Sequence, residues 1–321
     1  MTAMSSADPN VLILAGGLSH ERDVSLRSGR RVAEALREAG CRVRVADLGL
    51  DLLAVLDDAK KLPDIVWPLL HGATGENGSV RDVLDLLGIP YLGSPPRACR
   101  AAWNKPVAKS AIARAGLATP RFLTLPQSLF QQLGADALLA LICERFGLPV
   151  VVKPSEGGSA LGVSKVEDPA HLGKALVQCF AYHEVALIEE AVSGVELAIS
   201  VVDLGDGPVA LPAVEIVTDG FYDYDARYNP GRAEFFAPAR LTETDAERAA
   251  HLALAAHDAL GMVRLSRTDA ILANDGALYF LEANVAPGMQ ETSLLPQAAL
   301  AAGHTLPTLY RNLVEASLPT P

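Results

Sequence analysis

The segment RLSRTDAILANDGALYFLEANVAPG holds two acids, an amide and an arginine at spacings that could do chemistry. Asp275-Gly276 is a two-residue turn signal for a hairpin of the primed type, in which both central positions need positive φ. That turn sets Asp269 opposite Glu282 and Arg267 opposite Asn284, and the strand period of two puts all four on one face. Facing carboxylates repel, so the pair calls for a cation between them. Oxygen donors of this kind suit magnesium. The arrangement depends on register, and a three-residue loop through Asn274 breaks it. A solvated strand face is the plain alternative. Against it, Leu272, Leu278 and Leu281 supply only part of an apolar face, while three oxygen-bearing side chains converge on the arginine.

The stretch VVVKPSEGGSALGVSKV puts Lys153 at the end of an apolar strand, followed by a glycine-rich loop and a second strand. Backbone N–H groups of such a loop can cover nucleotide phosphates while the lysine adds charge. A plain mobile turn has the same pattern. It is not a Walker A loop, because the G-K-[ST] ending is absent and the loop joins strand to strand instead of opening a helix. Farther on, ALIEEAVSGVEL carries Glu189 and Glu196 seven residues apart around a turn at Ser193-Gly194. Carboxylates there can accept hydrogen bonds from an adenine amino group and ribose hydroxyls, or simply face solvent.

The elements that must position these residues fall into two patterns. Val11 to Ala15 reads as a strand closed by Gly16-Gly17, and Leu26, Val32, Ala33 and Leu36 then recur at helical spacing until Gly40. Val43 and Val45 mark a second strand, and Ile65 to Leu70 a third that ends at His71-Gly72. Strands separated by helices imply a doubly wound parallel α/β sheet, with ligands gathering at the carboxyl ends of its strands, where both glycine turns fall. From about Gly147 the pattern changes to antiparallel strands with few helices: LPVVVKP, GVSKV, EVALIEE, VELAISVV and VALPAVEIV. Asp219 to Ala239 is long, polar and aromatic without either periodicity, which marks a functional loop. A helix from about Thr244 to Leu260, two strands and two closing helices complete the reading.

Composition narrows the class. The 321 residues suggest about two domains, and half of them are hydrophobic, as in a globular protein. The net charge of -11 disfavours a nucleic-acid partner, which needs clustered cations. The start carries no basic leader and no stretch is long and apolar enough to span a bilayer, so a cytoplasmic protein with no membrane partner is expected. Cys41, Cys99, Cys143 and Cys179 lie far apart and read as small core hydrophobes.

Taken together, the segments resemble the D-alanine–D-alanine ligases of the ATP-grasp superfamily, in the family's order and across nearly the whole chain. AGGLSHERDVS is similar to the family's first loop, and the resemblance implies that Glu21 holds the first substrate's ammonium group. LLHGATGENGSV, with His71 and Glu76, is similar to its second signature. WNKPVAK supplies Lys105, and VVKPSEGGSALG supplies Lys153 and Ser159. The resemblance assigns these to nucleotide phosphates and, for Ser159, to the active-site network. It makes Glu189 the adenine-binding acid and Glu196 the ribose-binding one, with Val192 between them. FYDYDARY looks like the loop that closes over the site, with Arg227 at the nucleotide and Tyr228 pairing with the serine and glutamate. Arg267, Asp269, Glu282 and Asn284 follow, and EANVAPGMQETSLLP places Gly288, Ser293 and Leu294 near the second substrate.

The resemblance implies an N-terminal substrate-binding α/β domain over 1–104 and two ATP-grasp subdomains over 105–187 and 188–321. It further implies ATP with two Mg2+ ions, for which Mn2+ can stand in, D-amino-acid substrates and a homodimer. The implied chemistry is formation of an acyl phosphate followed by attack of an amine, with Arg267 and the Gly288 amide at the oxyanion. Three departures bear on the substrates: Arg227 stands where lysine is usual, Gly157 replaces a glutamate, and Val285-Ala286 replaces T-S. The same chemistry on D-lactate, D-serine or another amino acid, and a catalytically silent nucleotide-binding protein, are the alternatives. A dinucleotide oxidoreductase lacks its G-x-G-x-x-G after the first strand.

Overall fold

A computed structural model of the chain describes residues 8–57, 63–220 and 231–319. The first sheet comprises β1 (Asn10–Ala15), β2 (Arg42–Asp47) and β3 (Ile65–Pro68), parallel and in the order β2-β1-β3. Its central strand is buried on both faces, as a continuous apolar run requires. Leu12 and Leu14 pack outward with Leu52, Val80 and Leu84. Val11, Ile13 and Ala15 face the helix Arg22–Glu38 and the closing helix Leu306–Ser317.

The second sheet is antiparallel, with β4 (Phe122–Pro126), β5 (Val150–Pro154), β6 (Ser164–Val166) and β7 (Val185–Glu190) in the order β4-β7-β5-β6. The few helices expected here are joined by Pro169–Phe180, capped by the Asp168 side chain, which packs with the helix Ala135–Arg145 on one face of the sheet. β7 runs on to Glu190, across the expected division at 187/188.

The third sheet holds β8 (Gly194–Asp203), β9 (Pro208–Ala210), β10 (Val214–Thr218), β11 (Ala233–Phe236), β12 (Leu265–Ala273) and β13 (Leu278–Asn284). Its order is β11-β10-β8-β12-β13, with β9 beside β8. Two sequence expectations are corrected. VALPAVEIV is two strands along the same edge of β8, because Pro212 has no N–H for a ladder and the pairing breaks there, resuming one residue out of register at Val214. The loop expected over Asp219 to Ala239 contains β11, which pairs with β10 from Ala233 to Phe236; residues 221–230 lie outside the described residues.

Successive residues of β8 and β12 serve different neighbours. Leu197, Ile199, Val201 and Ala270 pack with the helix Glu243–Ala259. Ala198, Val202 and Leu265 pack with the first sheet and the helix Leu294–Ala301. The first and third sheets therefore share one core, which fixes the Gly16-Gly17 and His71-Gly72 turns relative to β12.

The hairpin β12–β13 does what was expected by a different route. Ala273 N donates to Ala277 O and Gly276 N to Ala273 O, each at 2.8 Å, so the connection is the three-residue loop through Asn274. Gly276 alone takes the left-handed conformation, at φ +82°, as in the type I turn with a glycine bulge. Leu272 faces Leu278 and Ala270 faces Phe280, one residue out of the expected register. A bulge at Leu281 then restores it, so Asp269 faces Glu282 and Arg267 faces Asn284.

Candidate active site

Two cavities meet at this hairpin. The larger, about 500 Å³, lies between the second and third sheets, with Lys153 and Glu189 on one wall and Glu196, Ile271 and the bulged Leu281 on the other. The smaller, about 140 Å³, lies between the first and third sheets and is lined by Glu21, His71, Glu76, Arg267, Asn284, Gly288, Ser293 and Leu294. The residues lining both are Lys105, Gly157, Gly158, Asp269 and Glu282.

The junction is charged and half buried. Arg267, 9% exposed, donates from Nε and Nη2 to the two oxygens of Asp269 at 2.6 and 2.8 Å. Lys105 Nζ lies 3.6 Å from Glu282 Oε2 and donates to Gly157 O. Each carboxylate thus has a cation beside it, as burial of charge demands. Lys105 is placed by the N-cap Asn104, whose side chain accepts from Val107 N and donates to Glu156 Oε1 at 2.8 Å.

The donor set fits a hard divalent cation. Asp269 and Glu282 offer facing carboxylates, and Asn284 Oδ1, which accepts from Ala286 N at 2.8 Å, keeps a second lone pair. Among the described residues no three His, Cys, Asp or Glu side chains are grouped so as to hold a metal ion by themselves. Two acids and an amide would therefore need phosphate or water oxygens to complete an octahedral shell.

In the larger cavity Glu189 is 2% exposed and sits between Lys153, 2.6 Å from Oε1, and Lys109, 2.7 Å from Oε2. Burial alone would raise its carboxyl, but the two lysines outweigh that and hold it below its ordinary value. Val192 and Glu196 line the same cavity, on either side of the step from β7 to β8. The glycine-rich loop between β5 and β6 covers one end. Gly157 has φ +129°, a backbone conformation that a glutamate would adopt only under strain, which accounts physically for that departure. Ser159 and Ala160 follow at φ +54° and +56°. This left-handed turn carries Ser159 Oγ to Glu21, to which it donates a hydrogen bond.

In the smaller cavity Glu76 Oε1 accepts from Gly72 N at 2.8 Å and lies 3.9 Å from His71 Nδ1. Burial and the nearby Glu21 push the Glu76 carboxyl up to about 8, while burial and Arg267 push the His71 imidazole down to about 4. Both shifts favour the neutral form of the side chain. Ser293 precedes the helix Leu294–Ala301, and its hydroxyl accepts from Gln290 N at 3.0 Å, which folds the Gly288–Ser293 segment against the cavity. Leu294 is buried at the wall. Val285 packs into the core with Phe280, and Ala286 is buried beside it.

Of the expected site residues, the structure gathers Glu21, His71, Lys105, Lys153, Ser159, Glu189, Val192, Glu196, Arg267, Asp269, Glu282, Asn284, Gly288, Ser293 and Leu294 around the two cavities. Arg227 and Tyr228 lie outside the described residues. Sequence reasoning missed Lys109, Trp103 and Phe235. The signal for Lys109 was its spacing of four from Lys105, which puts both on one helix face. Trp103 donates to Glu156 at 3.2 Å, and Phe235 lines the smaller cavity from β11, where no strand was expected.

Residues 111–315 match the family described as D-ala D-ala ligase C-terminus. A D-alanine–D-alanine ligase from Oleidesulfovibrio alaskensis is 40% identical over 310 residues, 96% of each chain. The chain belongs to the D-alanine–D-alanine ligase family. A relative of the same name from Pelotomaculum thermopropionicum is 36% identical over 95% of this chain and 96% of its own. Among solved structures, the D-alanine–D-alanine ligase of Bacillus anthracis superposes with TM-score 0.80 at 30% identity, covering 97% of both chains. A D-Ala:D-Ser ligase from Enterococcus faecalis has TM-score 0.81 at 23% identity, covering 97% of this chain and 99% of its own, a likeness of fold. The family's ATP-grasp architecture is thus the one observed, a parallel-sheet domain followed by two antiparallel sheets that enclose the larger cavity.

Proposed function

We propose that this chain joins two molecules of D-alanine at the expense of ATP, through an acyl phosphate. The observation that carries the reading is the pair of cavities that meet at Lys105, Asp269 and Glu282. A nucleotide in the larger cavity, with its base toward Glu189 and Val192 and its ribose at Glu196, extends its phosphates under the glycine-rich loop to that junction. An amino acid in the smaller cavity presents its carboxylate from the other side.

Lys105, Lys153 and Arg227 hold the phosphates. Asp269, Glu282 and Asn284 would hold Mg2+, two ions in this reading, which when bound neutralises charge on the transferring phosphoryl group. Glu21, kept in place by Ser159, holds the first ammonium group, with His71 beside it, and the family resemblance assigns Tyr228 to the same network. A carboxylate oxygen of the first D-alanine takes the γ-phosphoryl group and ADP leaves. The second D-alanine gives up a proton from its ammonium group to solvent, and its amine attacks the acyl carbon, the nitrogen releasing a second proton to solvent as the amide forms. Arg267 and the Gly288 amide stabilise the oxyanion, which collapses to the peptide as phosphate departs. Ser293 and Leu294 receive the second substrate. Leu294 offers no hydrogen bond to a serine hydroxyl, and leaving that group buried and unpaired costs about 1–3 kcal/mol.

The reading also carries a cytoplasmic location, a homodimer and use of the product in peptidoglycan synthesis. It divides the chain into substrate-binding, glycine-loop and metal-bearing parts, with the second division moved to the end of β7. No helix among the described residues is long and apolar enough to cross a membrane. The test is competition among equimolar D-alanine, D-serine and D-lactate with ATP at pH 6, 7 and 8, with products separated by mass. D-alanyl-D-alanine should dominate at pH 7 and above; a dominant depsipeptide or serine product contradicts the substrate assignment.

A further inference from the structure

Lys109 is wholly buried, one turn beyond Lys105 on the helix Lys105–Arg114, and no step proposed above uses it. A buried ammonium persists only where it is paired. Here it lies 2.7 Å from Glu189 Oε2 and donates a 2.7 Å hydrogen bond to Thr119 Oγ1. The Thr119 hydroxyl donates in turn to the carbonyl of Phe280 at 2.9 Å, and Ala118 O accepts from Phe280 N at 2.9 Å. Phe280 is the last residue of β13 before the bulge at Leu281, so both of its backbone groups are fixed at the point that decides where Glu282 falls. An unbroken line of polar contacts runs from Lys153 through Glu189, Lys109 and Thr119 to the strand that bears Glu282.

We propose that Lys109 and Thr119 are positioning residues that couple nucleotide binding at Glu189 to divalent-cation binding at Asp269 and Glu282. The inference rests on the reading of those two acids as the metal-holding pair. Neither residue lines either cavity. A nucleotide that settles Glu189 also settles Lys109 and, through Thr119, holds the Phe280 carbonyl and the bulge in the register that faces Glu282 with Asp269. Such coupling is reciprocal, so the cation must raise nucleotide affinity by the factor by which the nucleotide raises cation affinity.

The experiment is calorimetric titration of the full chain with adenylyl imidodiphosphate, with and without saturating Mg2+, and the readout is the ratio of the two affinities. In Thr119→Val the metal-free affinity should stay within about twofold of wild type while the Mg2+ enhancement falls about fivefold, the effect of one lost hydrogen bond. Thr119→Ser, which keeps the hydroxyl, should restore it. Lys109→Met should lower both the enhancement and the metal-free affinity. A wild-type Mg2+ enhancement in Thr119→Val, or equal weakening with and without Mg2+, overturns the coupling and leaves a structural role. If Lys109→Met does not fold, the Val and Ser variants at Thr119 decide the matter. A wild-type chain that shows the Mg2+ enhancement but makes no dipeptide sinks the substrate assignment and leaves the coupling standing. Absence of any Mg2+ enhancement in the wild type overturns the metal pair and the coupling together.

Discussion

Glu76→Gln should make the protein's stability nearly independent of pH between 6.5 and 8, where the wild type loses stability steadily. Glu76 holds its proton in the folded state up to about pH 8, against an ordinary value of 4.5. The unfolded chain is therefore ionised there while the folded chain is not, and folding takes up a proton across the whole interval from 4.5 to 8. Stability contributed by Glu76 accordingly falls as pH rises through that interval. His71 has the opposite sign: its imidazole is held down at about 4 against 6.5 unfolded, so its contribution is lost as pH falls from 6.5 to 4. The two slopes oppose each other below pH 6.5, and above it the Glu76 slope dominates until about pH 8, where Lys109, held down to about 8 by burial, begins to contribute with the opposite sign in wild type and variant alike. At about 1.4 kcal/mol per pH unit for one proton, the wild type should lose about 2 kcal/mol between pH 6.5 and 8 relative to the variant. Gln keeps the oxygen that accepts from Gly72 N, so the turn itself is preserved. Urea unfolding of both proteins at pH 6.5 and 8, followed by circular dichroism, measures the difference. Equal losses in wild type and variant would refute the argument and place the Glu76 proton elsewhere.

Glu282→Gln and Asp269→Asn should each remove most turnover at temperatures where the chain stays folded, because each deletes charge at the phosphoryl-transfer junction; Asp269→Asn also takes the carboxylate from the buried Arg267 and should melt earlier than the wild type. Near-normal Mg2+-dependent turnover in either would remove the assigned role. Arg267→Ala should lower kcat by roughly a hundredfold or more while KM for ATP changes far less, as for other oxyanion donors; an effect confined to KM makes it a ground-state phosphate binder. A Cβ at Gly288 would lie 2.8 Å from Ser293 Oγ, so Gly288→Ala should displace the hydroxyl that accepts from Gln290 N. Its KM for the second amino acid should rise with little change in KM for ATP, measured by phosphate release.

How far the sequence carries the site is clearest at the hairpin. The facing of Asp269 and Glu282 was legible, yet its stated reason was not the operating one. A three-residue loop shifts the strands by one, and the bulge at Leu281 shifts them back. Nothing local announces that bulge, since it is stabilised by Ala118 and Thr119, far away in sequence. The parallel sheet and the closing helices were legible because apolar period alone decides them. β11 was not, because AEFF is too short for periodicity, and its pairing to β10 is a tertiary contact. The burial of Glu189 was likewise invisible: read alone it is a surface acid, and only Lys109 and Lys153 converging from two other elements make it a buried ion-pair centre.

The central claim is that a carboxylate oxygen of one D-alanine passes to phosphate before the peptide bond forms. D-alanine labelled with 18O in both carboxylate positions, incubated with the protein, ATP and Mg2+, tests it directly by mass spectrometry of phosphate and dipeptide. The account predicts one labelled oxygen in each phosphate released for every D-alanyl-D-alanine formed. Dipeptide accompanied by unlabelled phosphate, or ATP turnover with no dipeptide, would contradict it.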